Sequence, residues 1–310
     1  MPFAPTRHPL PYLWQPLWEG FERHLLIQNR TARTLNGYQE SVSKLAEHLV
    51  RPRGIAPDLL NLERRQLEAF FLYLHEEGYA ANTVLRHFRG LAAFFSWLAA
   101  EDLIDRSPME RLRPPRVKLD PPPVLSYDAI SRLLQACEGR DFEARRDAAL
   151  IRFLVDTGCR RSELESMTVE GTDTRVGTAV VTGKTGTRVV SVGQKTAQSV
   201  WRYLIARQRL PRRNEPWLWL SVRGGSRLLG NGIYQVLRRR AKAAGVEERI
   251  FLHLFRHTST HLALANGANE RDVITLNGWT SGAMLARYGA SAAQERAIAA
   301  HKRFSPGDLF

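Results

Sequence analysis

The segment HLFRHTSTH, residues 253–261, groups three histidines around one arginine. On a helix His253, His257 and His261 would lie along one stripe, because they are four residues apart. Zinc would accept two of them, but a zinc site needs three or four ligands, and the segment contains neither a carboxylate nor a thiol. Arg256 would also repel a cation. These residue types predict no metal site and favour an anion as the ligand, with a plain helix surface as the alternative.

Phosphate is an anion whose chemistry these side chains fit. The planar guanidinium of Arg256 can donate to two oxygens of one phosphate, and the imidazole of His253 can exchange a proton near neutral pH. Phosphoryl transfer needs such groups, namely donors for the equatorial oxygens, an acid for the leaving oxygen and a nucleophile. A second arginine, Arg160, stands in FLVDTGCRRSELESM, where Glu163 follows three residues later and can orient the guanidinium. Taken alone, that segment fits a surface ion pair at a helix start better than a site.

Four motifs, in order, resemble those of the tyrosine recombinase (phage integrase) family. They are TGCRRSEL, a lysine in TGKTG, HLFRH and LNGWTSGAMLARYG. The family's first motif is Thr-Gly-Leu-Arg-x-Ser-Glu-Leu, and here Cys159 replaces its first leucine. The family's second motif is His-x-Leu-Arg-His, with Phe255 here in place of leucine. The third is Leu-Gly-His with a tyrosine nine residues after the histidine. Asn277 and Trp279 replace the leucine and the histidine, and Tyr288 keeps the interval.

The resemblance implies a role for each matching residue. Tyr288 would attack a scissile DNA phosphate and give a 3′-phosphotyrosine and a free 5′-hydroxyl, which conserves the phosphodiester energy and requires no cofactor. Lys184 would protonate the leaving 5′-oxygen. His253 would act as general acid and base around the tyrosine proton, and Trp279 would donate its indole N–H to the phosphate.

The same resemblance assigns the arginines and their neighbours. Arg160 and Arg256 would hold the non-bridging oxygens, whose negative charge grows in the pentavalent transition state. Glu163 is interpreted as the support of Arg160. His257 and His261 are expected to be structural residues, and the alternative for His257 is a hydrogen-bond donor behind the residues that touch the phosphate. Cys159 is expected to be a small packed residue without a reactive thiol.

A helical region must carry the first part of the chain. From Trp14 to about Leu103, apolar residues recur at helical spacing and indicate four helices. The aromatic residues of the last of these follow the helical stripe, so they are expected in a core and not on a base-stacking surface. They are Phe88, Phe94, Phe95 and Trp97.

The second part of the chain is predicted to contain helices and one β-hairpin. The segment GTAVVTGKTGTRVVSVG, residues 177–193, alternates apolar and polar residues and turns at 183–187, so Lys184 would lie at the hairpin tip. A predicted helix at 231–244 carries a basic cluster that is a candidate for groove or phosphate contact, with a solvated basic face as the alternative. The cluster consists of Arg238, Arg239, Arg240 and Lys242.

The resemblance implies a mainly α fold with a small β-hairpin or sheet, arranged as a two-domain C-shaped clamp. The predicted parts are an N-terminal tail (1–12), a helical SAM-like core-binding domain (13–103), a basic Pro-rich linker (104–123) and a catalytic domain with a helical tail (124–310). Six prolines oppose helix formation in the linker, which is either an exposed hinge or a segment that follows a phosphate backbone. Its candidate DNA-contacting residues are Arg111, Arg113, Arg116 and Lys118.

The charge of the chain agrees with a polyanionic partner. The 310 residues carry a formal net charge of +14, with a pI near 10.4. Residues 1–120 hold 16 basic and 14 acidic residues, and residues 121–310 hold 29 and 17. Such an excess indicates nucleic acid first and an anionic membrane second.

Two further features bear on the compartment. Two cysteines in 310 residues do not make a disulfide framework and favour a reducing cytoplasm. The sequence has no apolar run of about 18 residues and no signal-peptide pattern, so no membrane partner is expected. The predicted location is cytoplasmic, at the bacterial nucleoid.

These observations together predict a site-specific DNA recombinase or integrase that exchanges strands at short inverted core sites. Only a short segment precedes the first predicted helix, so no separate arm-site-binding domain is expected. That fits a compact mobile-element integrase or a Xer-type dimer resolvase, and Asn277 together with the RRSEL motif favours the integrase. A type IB-like topoisomerase and a non-catalytic DNA-binding regulator are the alternatives, and the intact set of six catalytic residues opposes the regulator.

The expected partners are double-stranded DNA and further copies of the chain. The resemblance implies a homo-tetramer on two paired sites, with one dimer on each site. The tail, residues 291–310, is expected to dock in trans on the neighbouring protomer, with Phe304 as an anchor. Packing of the tail on its own domain is the alternative, because helical periodicity does not separate the two.

Overall fold

A computed structural model divides the chain into two compact units, Met1–Lys118 and Leu119–Phe310. None of its described helices is long and apolar enough to cross a membrane. The structure describes residues 9–51, 54, 57–117, 121–184, 186–222, 225–279, 282, 285, 293, 297, 298, 300–302 and 305–310.

Four α-helices build the first unit, as the helical spacing predicts. They are α1 (Gln15–Ile27), α2 (Ala32–Val50), α3 (Arg64–Glu76) and α4 (Ala81–Ala100). Short 3₁₀ turns at Tyr12–Trp14 and Leu59–Asn61 precede α1 and α3. The Thr31 side chain accepts the Thr34 backbone N–H and so satisfies one free donor at the start of α2. The first unit is therefore all-α in its described residues.

Aromatic side chains fill the core of the first unit. The four aromatic residues of α4 that the sequence assigns to the core are all buried, which confirms that assignment. Helices α1 and α4 approach closely, since a Cβ on Gly20 would lie 2.7 Å from Cη2 of Trp97. Trp18 and Phe21 of α1 pack against Phe94 of α4 in the same core.

The predicted linker is only partly an open segment. Met109 is buried in the core of the first unit, and Ile104 and Leu112 pack against that core. The stretch from Ile104 to Leu112 therefore packs apolar side chains against the helices of the first unit, one of them buried and two partly buried.

The second unit contains seven described α-helices. They are α5 (Tyr127–Gln135), α6 (Phe142–Thr157), α7 (Arg161–Glu165), α8 (Gln194–Arg207), α9 (Gly230–Ala243), α10 (Leu252–Ala265) and α11 (Glu270–Asn277). The side chains of Ser126, Asp141 and Asn269 accept backbone N–H groups at the starts of α5, α6 and α11. Helix α6 lies at the centre, where Phe153 and Leu154 are buried.

One antiparallel sheet completes the second unit, in the order β1 (Thr172–Asp173), β2 (Thr178–Gly183) and β3 (Gly186–Ser191). Gly183 pairs with Gly186, so Lys184 lies in the two-residue connection and the predicted hairpin is confirmed. The two-residue strand β1 was not predicted, since it is too short to show alternation. The predicted fold class, mainly α with a small sheet, is confirmed.

Candidate active site

Arg160 stands at the N-cap position, immediately before α7. Its backbone N–H donates to Glu163 Oε2 at 2.9 Å, and its Nη1 donates to Glu163 Oε1 at 2.7 Å. The Glu163 side chain is 2% exposed, whereas that of Arg160 is 27% exposed. The contact that the three-residue spacing predicts is present, and it leaves part of the guanidinium open to solvent.

Glu163 is a buried carboxylate that stays ionised. Burial alone would raise its pKa, but the Arg160 backbone N–H and the Arg188 and Arg160 guanidiniums together outweigh burial and lower the pKa. Nη2 of Arg188, on β3, donates to Glu163 Oε2 at 2.8 Å. Arg188 was not among the predicted site residues. The signal that points to it is a lone arginine in an otherwise uncharged strand.

Arg256 is held between the C-terminal ends of two helices. Its Nη1 donates to the Gly158 carbonyl and its Nη2 to the Asn277 carbonyl, each at 2.9 Å. Gly158 ends α6 and Asn277 is the last residue of α11. Carbonyls at helix C-termini lack intrahelical partners and carry partial negative charge, so they suit a guanidinium. The Arg256 side chain is therefore fixed by backbone atoms at both ends of its fork.

Gly158 makes this arrangement sterically possible. Its φ is +54°, in the left-handed region that favours glycine. A Cβ at this position would lie 3.3 Å from the Arg256 Cα and 3.2 Å from the Ser259 Cβ. The glycine of the first motif thus lets the end of α6 contact α10 directly.

Trp279 brings the third motif to the same place. It is buried with Leu264, Val273 and Leu285 in a small apolar cluster. The Arg256 guanidinium lies 5.3 Å from the centre of its ring, a distance typical of a cation–π contact. Arg256, which belongs to the second motif, therefore contacts residues of both the first and the third motif.

The hairpin tip lies against α7. A Cβ on Gly183 would be 3.0 Å from Glu163 Cγ, and Ser166 Oγ donates to the Thr182 carbonyl at 2.7 Å. Lys184, the next residue, is exposed. The predicted lysine is therefore the exposed neighbour of a glycine that contacts Glu163.

The histidines of α10 differ in burial. His253 is exposed and His257 is buried, and the centres of the two rings are 6.3 Å apart.

Two of the predicted site residues, Tyr288 and Lys118, lie outside the described residues. The predicted linker arginines Arg111, Arg113 and Arg116 are all exposed in the first unit.

The basic cluster of α9 is divided between surface and interior. Arg238 and Lys242 are exposed. Arg240 is 16% exposed, and its Nε donates to the fully buried Asp147 at 2.8 Å. Arg239 is half-exposed and also reaches Asp147, at 3.0 Å. The guanidinium of Arg240 is used inside the protein, because the buried aspartate needs a counter-charge, and this placement opposes the predicted DNA contact.

Other chemistries find little support in the part of the chain that the structure describes. No group of three or more His, Cys, Asp or Glu side chains in those ranges is arranged to hold a metal ion. Cys137 and Cys159 are buried, and burial raises the pKa of each thiol to about 11. Cys159 is therefore a packed residue, as predicted, even though it adjoins Arg160.

Comparison with known families agrees with the geometry of the site. A family model described as "Phage integrase family" matches residues 123–295, and "Phage integrase, N-terminal SAM-like domain" matches residues 18–102. The chain belongs to the phage integrase family. It is a tyrosine-type site-specific DNA recombinase.

Several tyrosine recombinases resemble the chain over most of its length. It is 32% identical over 286 residues to tyrosine recombinase XerD of Mycobacterium leprae, which covers 85% of this chain and 88% of that protein. It is 30% identical over 271 residues to tyrosine recombinase XerC of Roseiflexus sp., which covers 85% of both chains.

Solved structures share the fold. The Tn1549 transposon integrase in complex with transposon right end DNA is 19% identical, with a TM-score of 0.76, and the match covers 96% of this chain and 100% of that one. The XerH recombinase bound to palindromic difH is 18% identical, with a TM-score of 0.70, and covers 96% and 90%. At such identities the likeness concerns the fold.

Proposed function

We propose that this recombinase cleaves and rejoins double-stranded DNA through a 3′-phosphotyrosyl intermediate on Tyr288. The observation that carries the proposal is the convergence of three motifs on Arg256. Its guanidinium is bonded to Gly158 and Asn277 and lies beside the Trp279 ring. An isolated surface arginine would not be held from both sides by helix ends.

In this proposal the two arginines stabilise the charge that develops on the scissile phosphate. Arg256 is fixed in place before substrate arrives, and Arg160 presents the exposed part of its guanidinium. Preorganised donors of this kind lower the barrier because they need no rearrangement during the reaction. No cofactor is required, since the phosphotyrosine conserves the phosphodiester energy.

The remaining roles follow the same logic. The exposed Lys184 protonates the leaving 5′-oxygen, and the exposed His253 acts as general acid and base for the tyrosine proton. Trp279 donates to the phosphate. Glu163 and His257 do not touch the phosphate and instead support the residues that do.

We further propose that both units bind DNA. The parts that take part are the helical core-binding domain (13–103), the linker (104–123) and the catalytic domain (124–310). Exposed Arg238 and Lys242 are the candidates on α9, and the candidates near the linker are Arg111, Arg113, Arg116 and Lys118. The excess of basic residues in 121–310 supports this assignment for the second unit. The assembly is a homo-tetramer on two paired sites, formed in the cytoplasm at the nucleoid.

The biological role has two candidates. Exchange at short inverted core sites of a mobile element is the first, and Asn277 in the third motif supports it. Resolution of chromosome or plasmid dimers is the second, and the XerC and XerD relatives, which align over most of the chain, favour it. If the chain serves a mobile element, it should insert a circular element into a target site. If it serves dimer resolution, it should resolve directly repeated sites on one plasmid.

Trapping on a nicked suicide substrate tests the chemistry. The wild-type chain is expected to form a covalent adduct on a denaturing gel, with the modified peptide containing Tyr288 by mass spectrometry. Tyr288→Phe should form no adduct while DNA affinity stays nearly unchanged, because the hydroxyl is a reactant and not an anchor. Adduct that persists in this variant would remove Tyr288 from the mechanism.

A plasmid relaxation assay separates recombination from topoisomerase activity. Relaxation that is independent of cognate sites and of a second protomer would favour a type IB-like topoisomerase. Dependence on paired sites supports the recombinase.

A further inference from the structure

Arg188 occupies the junction between the hairpin, α7 and the end of α11. From β3 its Nη2 donates to Glu163 Oε2 at 2.8 Å, and its Nη1 donates to the Leu276 carbonyl. The side chain is largely buried. A Cβ on Gly278 would lie 3.0 Å from Arg188 Cδ, so the chain after α11 passes directly over this arginine.

The two acceptors of Arg188 connect it with both proposed phosphate-binding arginines. Glu163 holds Arg160 with its other carboxylate oxygen. Leu276 directly precedes Asn277, whose carbonyl accepts from Arg256. Two consecutive carbonyls at the end of α11 thus bind Arg188 and Arg256. These carbonyls have no intrahelical partner, so a guanidinium satisfies each of them without disrupting the helix.

We propose that Arg188 is a positioning residue for the recombination reaction, which acts on Arg160 through Glu163. The end of α11 anchors Arg188, Arg188 holds one oxygen of Glu163, and the other oxygen of Glu163 sets the Arg160 guanidinium. The positions of Arg160 and Arg256 therefore both depend on the C-terminal end of α11. This inference rests on the proposed function, in which both arginines bind the scissile phosphate.

The charges explain why Glu163 needs Arg188 as a partner in addition to Arg160. Glu163 is buried and ionised, and it competes with the phosphate for Arg160. While Arg188 shares that carboxylate, the three side chains carry a net positive charge toward the phosphate. Without Arg188, Arg160 would neutralise Glu163 alone, and the positive potential that stabilises the charge developing on the phosphate in the transition state would fall.

The geometry also explains why the residue is arginine. Two different guanidinium nitrogens reach acceptors on two different elements. A lysine ammonium is a single point charge on a flexible stem and lacks this planar fork. Arg188→Lys should therefore keep the charge but lose the defined position of Glu163.

Single-turnover cleavage of a saturating suicide substrate, measured together with the DNA dissociation constant, tests the proposal. Arg188→Ala should cleave about 100-fold more slowly with a nearly unchanged dissociation constant, which is the size of effect expected when a reacting group is misplaced. Arg188→Lys should be intermediate, about tenfold slower. Arg175→Ala, at an exposed position of the β1–β2 turn, is the matched control and should cleave like the wild type.

A double-mutant cycle with Glu163→Gln identifies the route of the effect. If Arg188 acts through the Glu163 carboxylate, Arg188→Ala should have little further effect in the Glu163→Gln background, because the group that it holds has lost its charge. A purely structural arginine would instead multiply the two defects or weaken DNA binding. Either result would overturn the proposal.

Two checks keep the outcomes distinct. If Arg188→Ala does not fold by circular dichroism, Arg188→Lys replaces it in the cycle, and a wild-type cleavage rate for that variant would overturn the proposal. If the wild-type chain forms no adduct at all, the proposed function is wrong. If the wild-type chain forms the adduct but the free-energy effects of the two substitutions are additive, only the proposed role of Arg188 is wrong.

Discussion

The two arginines of the site are restrained in different ways at the level of single residues. Arg256 is buried and bonded to two backbone carbonyls, so its position depends on where α6 and α11 end. Arg160 is partly exposed and bonded to a side-chain carboxylate. The first is fixed by backbone geometry and the second by charge.

Removal of either arginine should slow DNA cleavage by about 10²–10³-fold, the effect typical of one lost transition-state donor. The variants are Arg160→Ala and Arg256→Ala, and the measurement is the single-turnover cleavage rate on the suicide substrate. Arg161→Ala is the control, because the neighbouring Arg161 side chain is exposed and pairs with Glu165. Near-wild-type cleavage by both Ala variants would show that these arginines are not at the phosphate.

At the level of elements, a buried charge cluster joins α6 to α9. Asp147 is completely buried and accepts hydrogen bonds from Arg146, Arg239 and Arg240. Arg146 is buried with it. A buried ion network is not by itself strong evidence for stability, but the loss of one member leaves uncompensated charge.

Asp147→Asn should therefore lower the free energy of unfolding by about 3–5 kcal/mol, because the buried Arg146 and the largely buried Arg240 lose the carboxylate closest to them. Urea denaturation of the full chain measures the change. Asp128→Asn is the matched control, since that carboxylate is exposed and pairs with Arg132 on the surface. The control should cost at most about 1 kcal/mol. Equal effects of the two substitutions would contradict a structural role for the buried network.

The contact between α2 and α4 should make the first unit sensitive to acid. His87 Nδ1 lies 3.1 Å from Ser41 Oγ. Burial, reinforced by the charge of Arg86, lowers the pKa of His87 to about 4. The unfolded chain therefore binds a proton on this residue near its ordinary pKa of 6.5, whereas the folded chain does not.

The contribution of His87 to stability is then complete above about pH 6.5 and declines as the pH falls toward 4, by on the order of 1–3 kcal/mol. Urea denaturation at pH 7.5 and pH 5 should show this decline in the wild type and a smaller decline in His87→Gln. His75→Gln, at an exposed position, serves as the control. An unchanged pH dependence in His87→Gln would place the acid sensitivity elsewhere.

At the scale of the whole molecule, the tail should couple one protomer to the next. Eight of the twenty residues in 291–310, including Phe304, lie outside the described residues. Deletion of 291–310 should leave binding to a single half-site intact, because it removes none of the proposed DNA contacts. It should weaken cooperative occupancy of two half-sites and abolish strand exchange. Gel-shift titration on one and two half-sites measures both effects, and unchanged cooperativity would support packing of the tail in cis.

The parts of the site that could be predicted are those whose residues are close together in sequence. The spacing of Arg160 and Glu163 within one helical turn predicts their contact, and it is present. The alternation around Lys184 predicts a hairpin tip, and the lysine lies in that connection. The periodicity of the first unit likewise predicts four helices with buried aromatic residues, as observed.

The sequence did not predict contacts between residues that are far apart along the chain. Arg188 and Glu163 are 25 residues apart, and Arg240 and Asp147 are 93 apart. A basic helix face gives the same pattern whether its arginines face DNA or a buried aspartate. The burial of Asp147 distinguishes the two, and only packing creates that burial.

By itself, the sequence therefore determined the family, the helix and hairpin pattern and the identity of the candidate catalytic residues, because motifs and periodicity are local properties of the chain. The tertiary structure decided how those residues are held. The carbonyls that orient Arg256 belong to the ends of α6 and α11, and the carboxylate that orients Arg160 is itself shared with Arg188. Backbone carbonyls at helix ends have no residue type, so no motif identifies them until the helices are packed together.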